Sequence, residues 1–246
     1  MCRFHLLVNK EMKMKKTMLA MTLVIIGVIM MGCKPENDPN NQGGDNGGGA
    51  GDDTCAYVDL GLPNGTLWAK CNVGANSPEE YGKYYAWGET DTKSYYKWQT
   101  YKYCTDELMT KYCSKPEYGY NGYTDKLTVL EPLDDVASAQ LGGAWCIPTE
   151  DQWKELLDHT TSIWTTYNGK TGRLFTAANG NSIFLPAAGS IIENSPVGEG
   201  NRGFYRSSTL DTDMPNEAWT LEFSGAECKM MSDYRFCGRS IRPVRR

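Results

Sequence analysis

The sequence predicts an α+β domain in which twisted antiparallel strands and long loops pack on one main helix. Three observations carry this: a single capped amphipathic helix over 149–158, short strand-like runs separated by Asn-Gly pairs, and an aromatic stretch over 95–123 with neither a helical nor a strand period. The helix is the clearest element. Pro148 cannot sit inside it, Thr149 is a good N-cap, and Gln152 three residues later completes a capping box, while Glu150 and Asp151 favour the positive helix end. Trp153, Leu156 and Leu157 fall at i, i+3 and i+4, one apolar stripe for a core; Lys154, Glu155 and Asp158 are left to face water.

The first 54 residues are not part of that domain. Lys13, Lys15 and Lys16 precede a run of fifteen residues from Met18 to Gly32 that is mostly apolar and ends at Cys33. This is the layout of an export signal, too short for the roughly 20 residues that span a bilayer. Met12 or Met14 would give it a more usual start than Met1. The end of the run, Met30-Met31-Gly32-Cys33, resembles a bacterial lipobox, which implies cleavage before a lipidated Cys33, a lipid anchor in the outer membrane, and display at the cell surface or toward the periplasm. Residues 33–54 are rich in Gly, Asn and Asp without one large apolar side chain, so they read as a flexible tether with a mean reach on the order of 25 Å. The folded domain is then 55–246.

The chain carries 25 Lys and Arg against 30 Asp and Glu. Five of the bases and one of the acids fall in 1–32, leaving 20 against 29 and a net charge of −9, which argues against a nucleic-acid partner. The terminal Arg242, Arg245 and Arg246 read as a solvated strand end.

In chain order, Tyr57-Val58-Asp59-Leu60 and Thr66-Leu67-Trp68-Ala69-Lys70 flank Asn64-Gly65 and predict an opening hairpin. Tyr84-Tyr85-Ala86-Trp87 is a packed aromatic run that reads as core. The stretch over 95–123 is either a loop excursion packed on itself or a set of exposed rings. A short helix over 134–141 leads into the main one. Beyond it, Ser162–Tyr167, Asn168-Gly169, Arg173–Ala177, Asn179-Gly180 and Ser182–Gly189 predict an antiparallel meander. Gly198-Glu199-Gly200 is no phosphate cradle because no helix follows it. Ala218–Phe223, Cys228–Met231 and Ser240–Val244 close the sheet.

These blocks also carry a family resemblance. Val58-Asp59-Leu60-Gly61-Leu62, Leu67-Trp68-Ala69, Cys71-Asn72-Val73-Gly74-Ala75 and Tyr84-Tyr85-Ala86-Trp87-Gly88-Glu89-Thr90 resemble the Fibrobacter succinogenes major paralogous domain. So do Leu130-Glu131-Pro132-Leu133-Asp134-Asp135-Val136-Ala137, Gly142-Gly143-Ala144-Trp145-Cys146-Ile147-Pro148-Thr149, Gly180-Asn181-Ser182-Ile183-Phe184-Leu185-Pro186-Ala187-Ala188-Gly189 and Gly238-Arg239-Ser240-Ile241-Arg242-Pro243-Val244. The chain departs from the pattern at Cys146, where the family has Arg, and at Tyr205, where it has Trp. The resemblance implies a single C-type-lectin-like domain, related to the formylglycine-generating enzymes, on a bacterial surface lipoprotein with no established activity for the family as a whole.

Candidate chemistry is sparse. His159 is the one histidine after the export segment, placed to meet the negative end of the helix. No cofactor is expected; calcium is the one metal with a candidate set, Asp211, Asp213, Asn216 and Glu217, although the spacing is not that of an EF-hand. Cys55, Cys71, Cys104, Cys113, Cys146, Cys228 and Cys237 are seven, so one stays unpaired, and Cys146 is the choice. Cys228 with Cys237, on a hairpin turning at Ser232-Asp233, and Cys104 with Cys113 are the candidate disulfides. Tyr96, Trp98, Tyr101, Tyr118 and Tyr120 are the candidate ligand platform for a glycan or protein. The expected function is a non-catalytic surface binding or adhesion module. The alternatives are a structural subunit of a surface assembly, or an oxidoreductase like the formylglycine-generating enzymes, which would require Cys228 and Cys237 in one exposed cleft.

Overall fold

The computed structural model describes residues 57–142 and 144–245. The export segment, Cys33, the tether and Cys55 lie outside the described residues. The first strands are β1 (Tyr57–Asp59), β2 (Leu67–Ala69), β3 (Cys104–Thr105) and β4 (Leu108–Met109). Helix α1 (Val136–Leu141), strand β5 (Trp145–Cys146) and helix α2 (Glu150–His159) follow. The rest is β6 (Thr160–Tyr167), β7 (Lys170–Ala177), β8 (Ser182–Pro186), β9 (Ser190–Ile192), β10 (Ser195–Val197), β11 (Gly203–Leu210), β12 (Glu217–Phe223), β13 (Cys228–Tyr234) and β14 (Val244–Arg245). The architecture is α+β, several small antiparallel sheets with two helices among the described residues. The sheet orders are β1-β2-β14-β5, β6-β7-β8, β11-β12-β13, β9-β10 and β3-β4.

Helix α2 starts where its caps require. The Thr149 hydroxyl accepts from Gln152 N at 3.2 Å, and Gln152 Oε1 accepts from Thr149 N at 2.9 Å. Trp153 and Leu156 are fully buried in a core with Leu60, Trp68, Phe175, Leu185, Tyr205, Leu221 and Phe223. Glu155 corrects the expected polar face: it is buried, accepting from Asn64 N at 2.6 Å and from the Thr66 hydroxyl at 3.2 Å. Its carboxylate thereby satisfies the loop between β1 and β2, which no strand pairs.

The meander follows its turn chemistry. β6 and β7 pair from Thr160↔Ala177 to Tyr167↔Lys170, leaving Asn168 and Gly169 as a two-residue turn with φ of 45° and 80°. Both values are left-handed, as a type I′ turn demands, and Asn-Gly is the pair that adopts them at least cost. β11 was not foreseen, because Tyr205-Arg206-Ser207-Ser208 has neither alternation nor an apolar run. It is nevertheless buried along almost its whole length. Arg206 reaches the carbonyls of Asp233 at 3.3 Å and Cys237 at 3.1 Å, and burial pushes its pKa down to about 10.

A second core holds Tyr85, Trp87, Tyr96, Tyr101, Tyr103, Met109, Tyr112 and Val136. The excursion over 95–123 is thus a loop packed on its own rings, pinned by three-residue 3-10 turns at Trp98–Thr100, Pro116–Tyr118 and Tyr120–Gly122. Arg235, fully buried, supports it: Nη1 donates to the Tyr112 and Pro215 carbonyls at 3.0 and 2.9 Å, and Nη2 to the Lys111 carbonyl at 3.0 Å. Its guanidinium lies 4.6 Å from the centre of the Trp87 ring.

The terminal arginines also differ from expectation. Arg242 is not solvated but buried, donating from Nε to Asn72 Oδ1, from Nη1 to the Ala69 carbonyl and from Nη2 to the Phe184 carbonyl, each at 2.9 Å. With the Lys70 carbonyl, which also accepts from Nη1, these acceptors make a burial site for the charge. Arg245 lies 4.8 Å over the Tyr57 ring, joining the first and last strands of one sheet.

Candidate functional site

The hairpin β3–β4 and the 3-10 turn at Trp98–Thr100 enclose a cleft of about 500 Å³, lined by Trp98, Gln99, Cys104, Thr105, Asp106 and Glu107. The turn is short because Thr100 closes it twice: its N–H donates to the Lys97 carbonyl at 3.1 Å, and its hydroxyl to the Tyr95 carbonyl at 2.7 Å. Trp98 is then held edge-on against Phe236, Tyr234 and Tyr101, with ring centres 4.8, 5.7 and 5.9 Å away.

The opposite wall is unusual. β3 and β4 pair as Thr105↔Leu108, so Asp106 and Glu107 alone form the turn, with φ of 50° and 65°. Two acidic residues occupy the left-handed positions that Asn168 and Gly169 occupy in the β6–β7 turn, at a conformational cost the latter avoids. Gln99 Nε2 donates to Glu107 Oε1 at 3.1 Å and ties the two walls together. Among the described residues no Lys or Arg lines the cleft and none sits over the Trp98 ring. Elsewhere cations do sit over rings, as Lys93 over Tyr96, Lys97 over Tyr95 and Lys154 over Trp219. Cys104 is half-buried, and burial raises its thiol pKa.

Of the five rings expected as a platform, Trp98 alone lines this cleft. Tyr96 and Tyr101 are buried in the second core and Tyr118 packs on it, which corrects the expectation of exposed rings. Their hydroxyls explain why burial is tolerated: Tyr96 donates to the Tyr84 carbonyl at 2.6 Å and Tyr101 to the Trp87 carbonyl at 2.8 Å. Tyr120 is exposed but outside the cleft lining. Asp106 and Glu107 went unremarked in the sequence; an acidic pair between two short β-prone runs was the available signal.

Asp211, Asp213 and Glu217 of the calcium set each meet partners within the protein, while Asn216 Oδ1 is buried with no hydrogen-bond partner among the described residues. Asp211 Oδ1 accepts from Asp213 N at 2.9 Å and Met214 N at 3.1 Å, Lys115 Nζ meets Asp213 Oδ1 at 3.2 Å, and Glu217 Oε2 accepts from the Ser232 hydroxyl at 2.7 Å. The Asn216 carbonyl accepts from Arg235 N at 3.1 Å. Among the described residues no group of three or more His, Cys, Asp and Glu side chains is placed to hold a metal. His159 ends α2 and lines a second, 340 Å³ hollow with Asp158, Thr160, Thr161 and Thr176.

The expected hairpin at Ser232-Asp233 is instead the interior of β13, which pairs continuously with β12 from Phe223↔Cys228 to Glu217↔Tyr234. Cys237 lies beyond the far end of that strand, its N–H donating to the Tyr234 carbonyl at 3.3 Å. At about 3.3 Å per residue, Cys228 lies about 20 Å along the strand from Tyr234, beyond the roughly 7 Å that a disulfide bridges. Cys237 is also buried, so the shared exposed cleft an oxidoreductase reading requires is not formed by this pair. Cys113 is buried, and its Sγ donates to the Lys115 carbonyl at 3.1 Å. Cys146 sits on β5 opposite Val244, half-buried against the helix core.

Among the described residues, no helix is long and apolar enough to cross a membrane. No family model matches the chain, and neither a curated protein nor a solved structure matches it.

Proposed function

We propose that this chain is a membrane-anchored surface lipoprotein whose domain binds glycan, without catalysis, in the Trp98 cleft. The observation that carries the reading is the cleft's composition: one indole wall, a side-chain amide, a hydroxyl and two carboxylates around about 500 Å³. An aromatic face stacks on the apolar face of a sugar ring while amide, hydroxyl and carboxylate groups take its hydroxyls. The anchor rests on the lipobox-like end at Cys33. The C-type-lectin-like fold rests on the resemblance of the blocks from Val58 to Val244, and is proposed with it.

The test is a glycan array probed with the full chain. Binding is expected, and it is expected to be lost on Trp98→Ala and weakened on Gln99→Ala, with thermal unfolding of the Gln99 variant unchanged. Failure to bind any glycan, or binding indifferent to both substitutions, sinks the reading.

A further inference from the structure

We propose that the Trp98 cleft selects a cationic sugar, one carrying a free protonated amine, over its N-acetylated or neutral counterpart. The inference rests on the glycan-binding reading and narrows it to a ligand class.

Two features meet in the cleft. First, the ring of Trp98 has no cation over it among the described residues, in a molecule where Lys93, Lys97, Lys102, Lys111 and Lys154 each cover an aromatic ring. An indole face is the best aromatic partner for a cation. Second, the charge of the lining is one-signed: among the described residues Asp106 and Glu107 are its carboxylates and no Lys or Arg lines the cleft beside them. Glu107 receives a neutral amide hydrogen from Gln99, which orients one oxygen and leaves its charge uncompensated.

The size of the space favours a sugar over a lysine side chain. A slender alkyl stem would leave most of about 500 Å³ to water, whereas a short oligomer of pyranoses has room in it and presents a flat face to the indole. The ammonium then lies between the indole and the carboxylates of Asp106 and Glu107. Thr105 and Gln99 are left for the ring hydroxyls. Acetylation removes the charge and adds bulk at the same nitrogen, so both the attraction and the fit are lost.

The experiment is calorimetric titration of the full chain with short glucosamine oligomers, with N-acetylglucosamine oligomers of equal length, and with a short lysine-containing peptide. Glucosamine oligomers are expected to bind about tenfold more tightly than the acetylated ones. That preference should vanish in the double variant Asp106→Asn, Glu107→Gln, which keeps side-chain size and places Asn at a left-handed position it tolerates. Unfolding of the variant, followed by circular dichroism, should match the parent. Equal binding of both oligomers through Trp98 leaves glycan binding standing and overturns the cationic preference. A preference that survives the double variant overturns the role of the carboxylates. Binding of the lysine peptide alone, or of none of the three, overturns the cationic-sugar assignment, and the glycan array then decides the glycan reading separately.

Discussion

Arg235 Nε donates to the Tyr101 hydroxyl at 2.8 Å, and the Tyr101 ring in turn meets Trp98 edge-on at 5.9 Å. A fully buried cation therefore sets the back of the cleft through one intermediate ring. Three of its remaining hydrogens go to main-chain carbonyls, those of Lys111, Tyr112 and Pro215, that no strand ladder satisfies. Arg235→Met keeps the bulk over Trp87 but orphans these acceptors, at a cost of about 3 kcal/mol or more. Urea unfolding monitored by tryptophan fluorescence should show the loss. A change below about 1 kcal/mol would mean that the carbonyls find water instead.

Asp134 gives the domain an acid limit. Burial alone would raise its pKa, but hydrogen bonds from Lys111 at 2.7 Å, from the Tyr103 hydroxyl, from the Tyr112 hydroxyl at 2.8 Å and from Lys102 at 3.2 Å outweigh it and hold the carboxyl at about 2. The folded pKa lies below the ordinary value of 3.8, so folding favours the ionised form. The stabilisation is complete above about pH 4 and disappears as pH falls toward about 2, a change of about 2 kcal/mol. Asp134→Asn should flatten the stability profile across that window. An unaltered acid limb in the variant would assign the loss to other carboxylates.

The turn at Asp106-Glu107 should be improvable at the expense of its ligand. Asp106→Asn with Glu107→Gly installs the pair that suits two left-handed positions and should stabilise the domain by about 1 kcal/mol. Differential scanning calorimetry would read this as a higher melting temperature. No gain would show that the acids are held there without strain.

Thiol reactivity should separate the cysteines. Desolvation, the main cause in each case, pushes the Cys228 thiol up to about 11 and the Cys237 thiol up to about 12. Cys104 is the half-buried thiol at the cleft. Alkylation of the native protein, mapped by mass spectrometry, is expected to modify Cys104 well before Cys237, which should react only on unfolding. Early labelling of Cys237 would contradict its burial.

Much of the fold was legible where local chemistry suffices. The Thr149–Gln152 capping box, the Trp153 and Leu156 stripe and the Asn168-Gly169 turn all follow from neighbours in sequence. What escaped depends on distant partners. Glu155 reads as surface because its acceptor role is defined by Asn64 and Thr66, 91 and 89 positions away. Arg242 reads as a solvated charge for the same reason, and nothing local marks Arg206 or Arg235 as buried: each of the three is held by carbonyls contributed from other segments. The site was legible only in part. Trp98 stood among nine rings of one stretch, and nothing local told it from Tyr96 or Tyr101, whose hydroxyls find main-chain acceptors inside the core.

The contact of Arg245 with the Tyr57 ring, across a sheet that holds both β1 and β14, makes the order of the chain negotiable. A short Gly-rich bridge from residue 245 back to residue 57 could close the domain, with new ends opened at the exposed Asn168-Gly169 turn. Such a circular permutant would keep every sheet pairing. The domain could equally be spliced whole into a surface loop of another protein, entering and leaving through one doorway.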